Sequence, residues 1–316
     1  MRYLEYTKPA KTSQEIIDFL KYNNLKFKDE IEAKTILNNI NYFRFKIYLY
    51  PFYEKDTKTY KSNSYFEDGY KIYCFDEELR ELLFSSIAKI ELLIRNRLNA
   101  LALKATNNPF WYLDNLYFKN SYQIDSIRNK ILSDFTNLYT DYSRNFQDKY
   151  INNTKNSNYK SLPPFWIVME FITFGTLKKI FTNIENDKIS INRKCIKNLL
   201  AEEFGFHNRA EFLTILGILN KVRNICAHHS RLYNIIFPNI SGNFYLHHLN
   251  NNPNIQNKRK LLTTFMILHI ISKQNNLIFD IDIKKEIDEL LSKYSSINAK
   301  ELGLDDDLFK NNSFWN

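Results

Sequence analysis

Glycine and proline are scarce in this 316-residue chain, with six and seven copies. So few of both argue against an α/β fold built on glycine-rich phosphate loops and against a turn-rich β-sandwich. Cysteine is scarcer still. Cys74, Cys195 and Cys226 are too few and too scattered for a disulfide framework or a zinc knuckle, and they fit a reducing, cytoplasmic setting. The longest apolar-rich stretch, "LLTTFMILHII" from residue 261, is too short to span a bilayer. The opening "MRYLEYTKPAK" lacks the apolar stretch of a secretory signal. The expectation is a cytoplasmic protein without a membrane partner.

What the chain does have is apolar and aromatic mass. Hydrophobic residues make up 44% of it, which marks a folded protein with a sizeable core. The 25 Phe and 21 Tyr carry much of that core's apolar area. The net charge of +9 suits an acidic partner such as nucleic acid. A lysine- and asparagine-rich composition gives the same excess without any such partner, so charge alone leaves RNA or DNA contact open.

Periodicity predicts helices. Two short ones span residues 13 to 39, with Ser13 as the N-cap of the first. The aromatic stretch that follows, broken at Pro51, reads as short strands or irregular structure. From Asp76 a long helix places Leu79, Leu82, Leu83, Ile87, Ile90, Leu93, Ile94 and Leu98 on one stripe. A further helix covers about 121 to 148, and a polar loop closes at Pro163 and Pro164. "FWIVMEFITFGTLKKIF" reads as one apolar helix holding Glu170 and Gly175. Asn208 opens another, with Glu211 in a capping-box arrangement, and it ends near His228 and His229. Helices at 257–273 and 283–293 complete the count. Trp111, Trp166 and Phe174 read as core, and His247 and His248 as surface. The fold class is all-α, a helical bundle, with residues 1–75 as an aromatic N-terminal region, 76–293 as the helical core and 294–316 as a peripheral tail.

The chemistry concentrates in "NKVRNICAHHSRLYN", residues 220 to 234. On a helix Asn224 and His228 lie one turn apart, while Arg223 lies about 140° from His228 around the axis. These residue types suit RNA cleavage by transesterification. A histidine transfers protons near neutral pH, a guanidinium grips phosphate oxygens and offsets developing charge, and an amide positions the phosphate or the imidazole. No metal or other cofactor is needed, and the chain lacks the carboxylate cluster of a two-metal nuclease. The plainer reading is a set of cations bonding the last carbonyls of a helix. Glu91 and Arg95 form an i,i+4 pair that reads either as an ordinary ion pair or as support in which Glu91 orients Arg223. Tyr42 and Arg44 are candidates to stack on or clamp RNA, set against a packing role. Arg231 and the basic cluster Lys258, Arg259 and Lys260 are candidate phosphate contacts, against a solvated helix start.

The string "KVRNICAHHSRLYN" closely resembles the motif segment of the AbiD/AbiF-like abortive-infection family, part of the HEPN superfamily. Four more segments resemble that family in order: "TKPAKTSQEIIDFLKYNNL", "ILNNINYFRFKIYLYPF", "YCFDEELRELLFSSIAKIELLIRNRL" and "LPPFWIVMEFITFGTLKKIF". The resemblance implies a HEPN-type bundle with a metal-independent endoribonuclease site at Arg223, Asn224 and His228, and His229 in a supporting place. It also implies a homodimer that completes the cleft, control by a small structured antitoxin RNA, and anti-phage defence by RNA cleavage. The alternative function is a non-catalytic HEPN module that binds RNA or a protein and so inhibits a phage or host factor. One departure stands out. HEPN toxins silenced by nucleotidyltransferases carry a tyrosine two residues after the histidine, where this chain has Ser230, so control by AMPylation there is not expected.

Overall fold

The computed structural model describes residues 7, 9–137, 141–151, 162–237, 244, 248, 259–275, 281–304, 309 and 313–315. The described chain is an all-α bundle, and its only sheets are two antiparallel hairpins of two-residue strands. It divides into two compact units, residues 1–80 with 289–297, and residues 81–288 with 298–316. Among the described residues no helix is long and apolar enough to cross a membrane.

In the first unit, α1 (Ser13–Tyr22) packs on α2 (Glu30–Asn39), and Ile17, Leu20, Ala33 and Leu37 of the two helices are buried. The N-cap of α1 is Thr12 and not Ser13. Glu15 three residues on completes a box with Thr12: the Thr12 N–H donates to the Glu15 carboxylate at 2.7 Å, and the Glu15 N–H donates to Thr12 Oγ1 at 3.3 Å. The aromatic stretch holds both helix and strand. A single turn α3 (Tyr42–Phe45) leads through two 3₁₀ turns into a hairpin of β1 (Tyr53–Glu54) and β2 (Thr59–Tyr60). Helix α4 (Phe66–Thr106) starts well before Asp76, because Glu67 and Asp68 supply the acidic first turn and Phe66, Ile72 and Phe75 extend its buried stripe. Within this unit Asp76 is fully buried, paired with Arg80, and accepts the Tyr48 hydroxyl at 2.6 Å.

The second unit takes residues 81–106 of α4 and then α5 (Ser121–Asn137), α6 (Asp141–Phe146), α7 (Phe165–Phe171) and α8 (Phe174–Asn183). A hairpin of β3 (Ser190–Ile191) and β4 (Lys194–Cys195) leads into α9 (Ile196–Glu203), α10 (Arg209–Ala227), α11 (Leu262–Gln274) and the start of α12 (Ile283–Lys293). The helix expected over 121–148 is therefore two, the second running on as a π turn to Ile151. The apolar helix expected from Phe165 also divides. Ile172 and Thr173 are extended, and Thr173 caps α8 by accepting the Thr176 N–H on its hydroxyl. Trp111 and Phe174 are core, but Trp166 is 44% exposed. The tail is more than peripheral: Leu302, Leu304, Phe309 and Trp315 are buried, and the Trp315 and Phe314 rings pack at a tilt against His269. His247 and Lys258 lie outside the described residues.

Candidate functional site

Helix α10 positions the Arg-Asn-x-x-x-His group, and both its ends are set by side chains or backbone turns. At the start, Asn208 Oδ1 accepts the N–H groups of Ala210 and Glu211, while Glu211 reaches past the cap to accept the His207 N–H at 2.9 Å. His248 sits beside Glu211, with Nε2 3.7 Å from Oε1, and its side chain is only 14% exposed rather than a surface group. Along its length α10 buries Phe212, Ile215, Leu216, Leu219, Val222 and Cys226.

The far end explains why two histidines are adjacent. His228 is the C-cap, and its N–H donates to the Asn224 carbonyl at 3.0 Å. His229 takes a left-handed backbone, φ 52°, and its N–H donates to the Cys226 carbonyl. The Ser230 N–H then donates to the Ile225 carbonyl at 2.9 Å. These two bonds make a Schellman closure with histidine where glycine is commonest. His229 thus stops the helix, and the stop leaves the His228 side chain exposed at its end.

Arg223 leaves α10 on another side and meets α4. Its Nε lies 3.6 Å from Glu91 Oε2, its guanidinium carbon 5.9 Å from the Phe84 ring centroid, and its Nη1 3.4 Å from Asn224 Oδ1. Glu91, only 8% exposed at the side chain, also binds Arg95 through its other oxygen. Arg95 is buried and donates to the Met169 carbonyl of α7 as well. Two guanidinium groups share one carboxylate, so the cluster keeps one positive charge in excess. That surplus faces solvent through Arg223, whose side chain is 31% exposed. Such a site attracts an anion and supplies planar donors to it.

The remaining candidates are placed as follows. Tyr42 is half-buried against Tyr60, and its neighbour Phe43 turns outward instead, 77% exposed with the Lys46 ammonium 4.5 Å from its ring centroid. Arg44 is exposed and Arg231 half-buried. Arg259 Nε donates to the Phe237 carbonyl at 2.9 Å, and Lys260 pairs with Glu301 at 3.4 Å, so both hold the local chain together. Among the described contacts none joins Arg223 to His228. The residue missed from sequence is Phe84, under the Arg223 guanidinium. It falls off the apolar stripe of α4 yet is aromatic, which is the signal that marks it. Among the described residues no three His, Cys, Asp or Glu side chains are grouped to hold a metal ion.

Comparison with curated proteins and with solved structures returns no match. A family model, that of the Abi-like proteins, matches residues 35–234, a span that covers well over half of the chain and contains α4, α7, α8 and the whole of α10 with its closing turn. The chain belongs to the Abi-like protein family.

Proposed function

We propose that this chain is a HEPN-type endoribonuclease toxin of abortive-infection defence, acting as a homodimer in the cytoplasm and restrained by a small structured RNA. The observation that carries the proposal is the cluster at α10. A partly exposed guanidinium with surplus positive charge is held in place by a buried carboxylate, on the same helix as an exposed imidazole at a defined helix end. In the reaction the 2′-OH of the RNA attacks the adjacent phosphorus as His228 accepts its proton. Arg223 offsets the charge on the phosphorane, Asn224 orients a phosphate oxygen, and the 5′-oxygen leaves as it gains a proton. The products are a 2′,3′-cyclic phosphate and a 5′-hydroxyl. No step of this scheme calls on a metal.

One imidazole does not act as base and acid in the same step, and Arg223 and His228 project about 140° apart from a single helix. A second copy facing the first supplies the missing half. On α4, Phe84 beside Arg223 and Leu92, two turns further along, are 39% and 55% exposed and give that copy apolar surface to cover. RNA bound across the paired cleft would then block substrate, which is the form of control expected from an antitoxin RNA.

The test is cleavage of RNA by purified wild-type protein in EDTA, alongside growth arrest on expression. His228→Ala and Arg223→Ala are each expected to lower cleavage about 10²–10⁴-fold with the thermal melt unchanged, and to relieve the arrest. A strict Mg²⁺ requirement, or variants that cleave like wild type, would sink the proposal.

A further inference from the structure

Helices α8 and α10 lie antiparallel. Gly175 of α8 faces Asn220 of α10, and one turn further along α8 Lys178 faces Gly217. Gly217 sits in the middle of α10, where glycine costs about 1 kcal/mol relative to alanine, so its presence calls for a reason of space. A Cβ added there would meet Lys178 Nζ at 3.2 Å. The missing side chain leaves an open groove of about 450 Å³ between the helices, whose lining includes Lys178, Thr182, Thr214, Gly217, Ile218 and Lys221. That size suits a small organic group.

The groove's chemistry is mixed in a particular way. Its lining is mostly apolar, with Leu213 and Ile218 in it; Thr182 and Thr214 add hydroxyls that donate to the Lys178 and Ala210 carbonyls of their own helices, and Lys178 and Lys221 complete it. Among the described residues neither ammonium pairs with a carboxylate; Lys221 rests on the Ile236 carbonyl at 3.3 Å and over the Phe237 ring at 5.1 Å. Position along α10 adds the rest. Gly217, Lys221 and His228 fall within about 40° of one another on the helix, with Lys221 about 10 Å and Gly217 about 16 Å from His228 along its axis. The groove therefore opens on the face of α10 that carries the imidazole, not the face that sends Arg223 to Glu91.

We infer that this groove is a subsite for single-stranded RNA flanking the bond to be cut. Lys178 and Lys221 take backbone phosphate, and the lining around Ile218 takes an unstacked base or its ribose. A single strand fits the apolar lining because its bases are free to leave the stack, which paired bases are not. The inference rests on the reading of the α10 end as a ribonuclease centre, and it adds where the substrate lies beyond the scissile phosphate.

The experiment measures binding of a fluorescein-labelled oligouridylate by anisotropy, using the full-length chain with His228→Ala so that the probe stays intact. Lys178→Gln with Lys221→Gln is expected to raise Kd about tenfold and to flatten the log Kd against log salt slope by about 1.4, since each phosphate contact on a single strand contributes about 0.7. Gly217→Leu fills the groove while keeping both charges, and is expected to raise Kd with the salt slope retained. Thermal melts of all three proteins establish that they fold. If both groove variants bind the probe like their parent, the inference is overturned. It is equally overturned if their only change is a lost self-association in sedimentation, which would make the groove a contact between copies. Cleavage by the wild-type chain is scored separately. Cleavage together with unimpaired binding by the groove variants refutes the groove alone. Absent cleavage with weakened binding removes the catalytic reading and leaves an RNA groove.

Discussion

Helix α4 carries two buried carboxylate–arginine pairs of the same i,i+4 form, Asp76 with Arg80 in the first unit and Glu91 with Arg95 in the second. The first is closed. Asp76 is fully buried, and Tyr48 bridges the pair, donating to Asp76 at 2.6 Å and accepting from Arg80 at 3.3 Å. Charge balances, and the third member is neutral. The second is open: its third member is another cation, Arg223, lying 3.6 Å from the carboxylate and partly in solvent. Arg95 Nε finds no acceptor among the described residues. The same pair on the same helix is thus closed or left open according to whether its third partner is a phenol or a guanidinium.

Three substitutions probe that difference. The largest effect is expected from Asp76→Ala, which strands the Arg80 charge in the interior and is expected to cost about 3–5 kcal/mol of stability, measured by urea unfolding. Cleavage per folded molecule stays at the wild-type level. Glu91→Gln comes next. The amide still accepts from Arg95 but no longer draws the Arg223 guanidinium, so cleavage drops about 10–100-fold, or about 1.4–2.7 kcal/mol of barrier, with a smaller stability loss than Asp76→Ala. Should Glu91→Gln unfold the protein as severely and leave cleavage intact, both pairs are structural and the contrast disappears.

Tyr48→Phe gives the smallest effect and the sharpest signature. Burial first, and then the Asp76 carboxylate, push the Tyr48 phenol well above the ordinary tyrosine range. The folded state therefore holds that proton more tightly than the unfolded state. Its contribution is fully present below about pH 10 and is lost as pH rises further. Between about pH 9 and 11 the wild-type melting temperature should fall more steeply than that of Tyr48→Phe. Parallel curves would remove Tyr48 from the closed network.

Helix α10 was legible because its signals agree. An asparagine cap, a glutamate three residues later, apolar residues at helical spacing and a motif at the end all point to one element. The division between α7 and α8 was not, because the apolar pattern runs unbroken across it and the stop comes from the hydroxyl of one threonine, Thr173. Helix α9 and the buried tail residues went unread because segments that short carry no measurable period. The same limit applies at Tyr42. A four-residue helix gives no period from which to tell which of two adjacent aromatics faces out, and it is Phe43. In the α10 cluster, the residue types and the Glu91–Arg95 pair could be read from spacing. The approach of Arg223 to Glu91 stood there as one of two readings of that pair, because the two are far apart in sequence and only helix packing, which brings them within 3.6 Å, decides between them.

The left-handed turn at His229 gives α10 a built-in datum. Rotation on a helix advances about 100° with each residue, so an imidazole moved by one position along α10 would point to a different side of that helix. Because the stop belongs to the residue next to His228, the reference mark and the tool share an address. The imidazole's bearing is thereby settled within α10 and its closing turn, before the chain moves on to bury Leu232 and Tyr233.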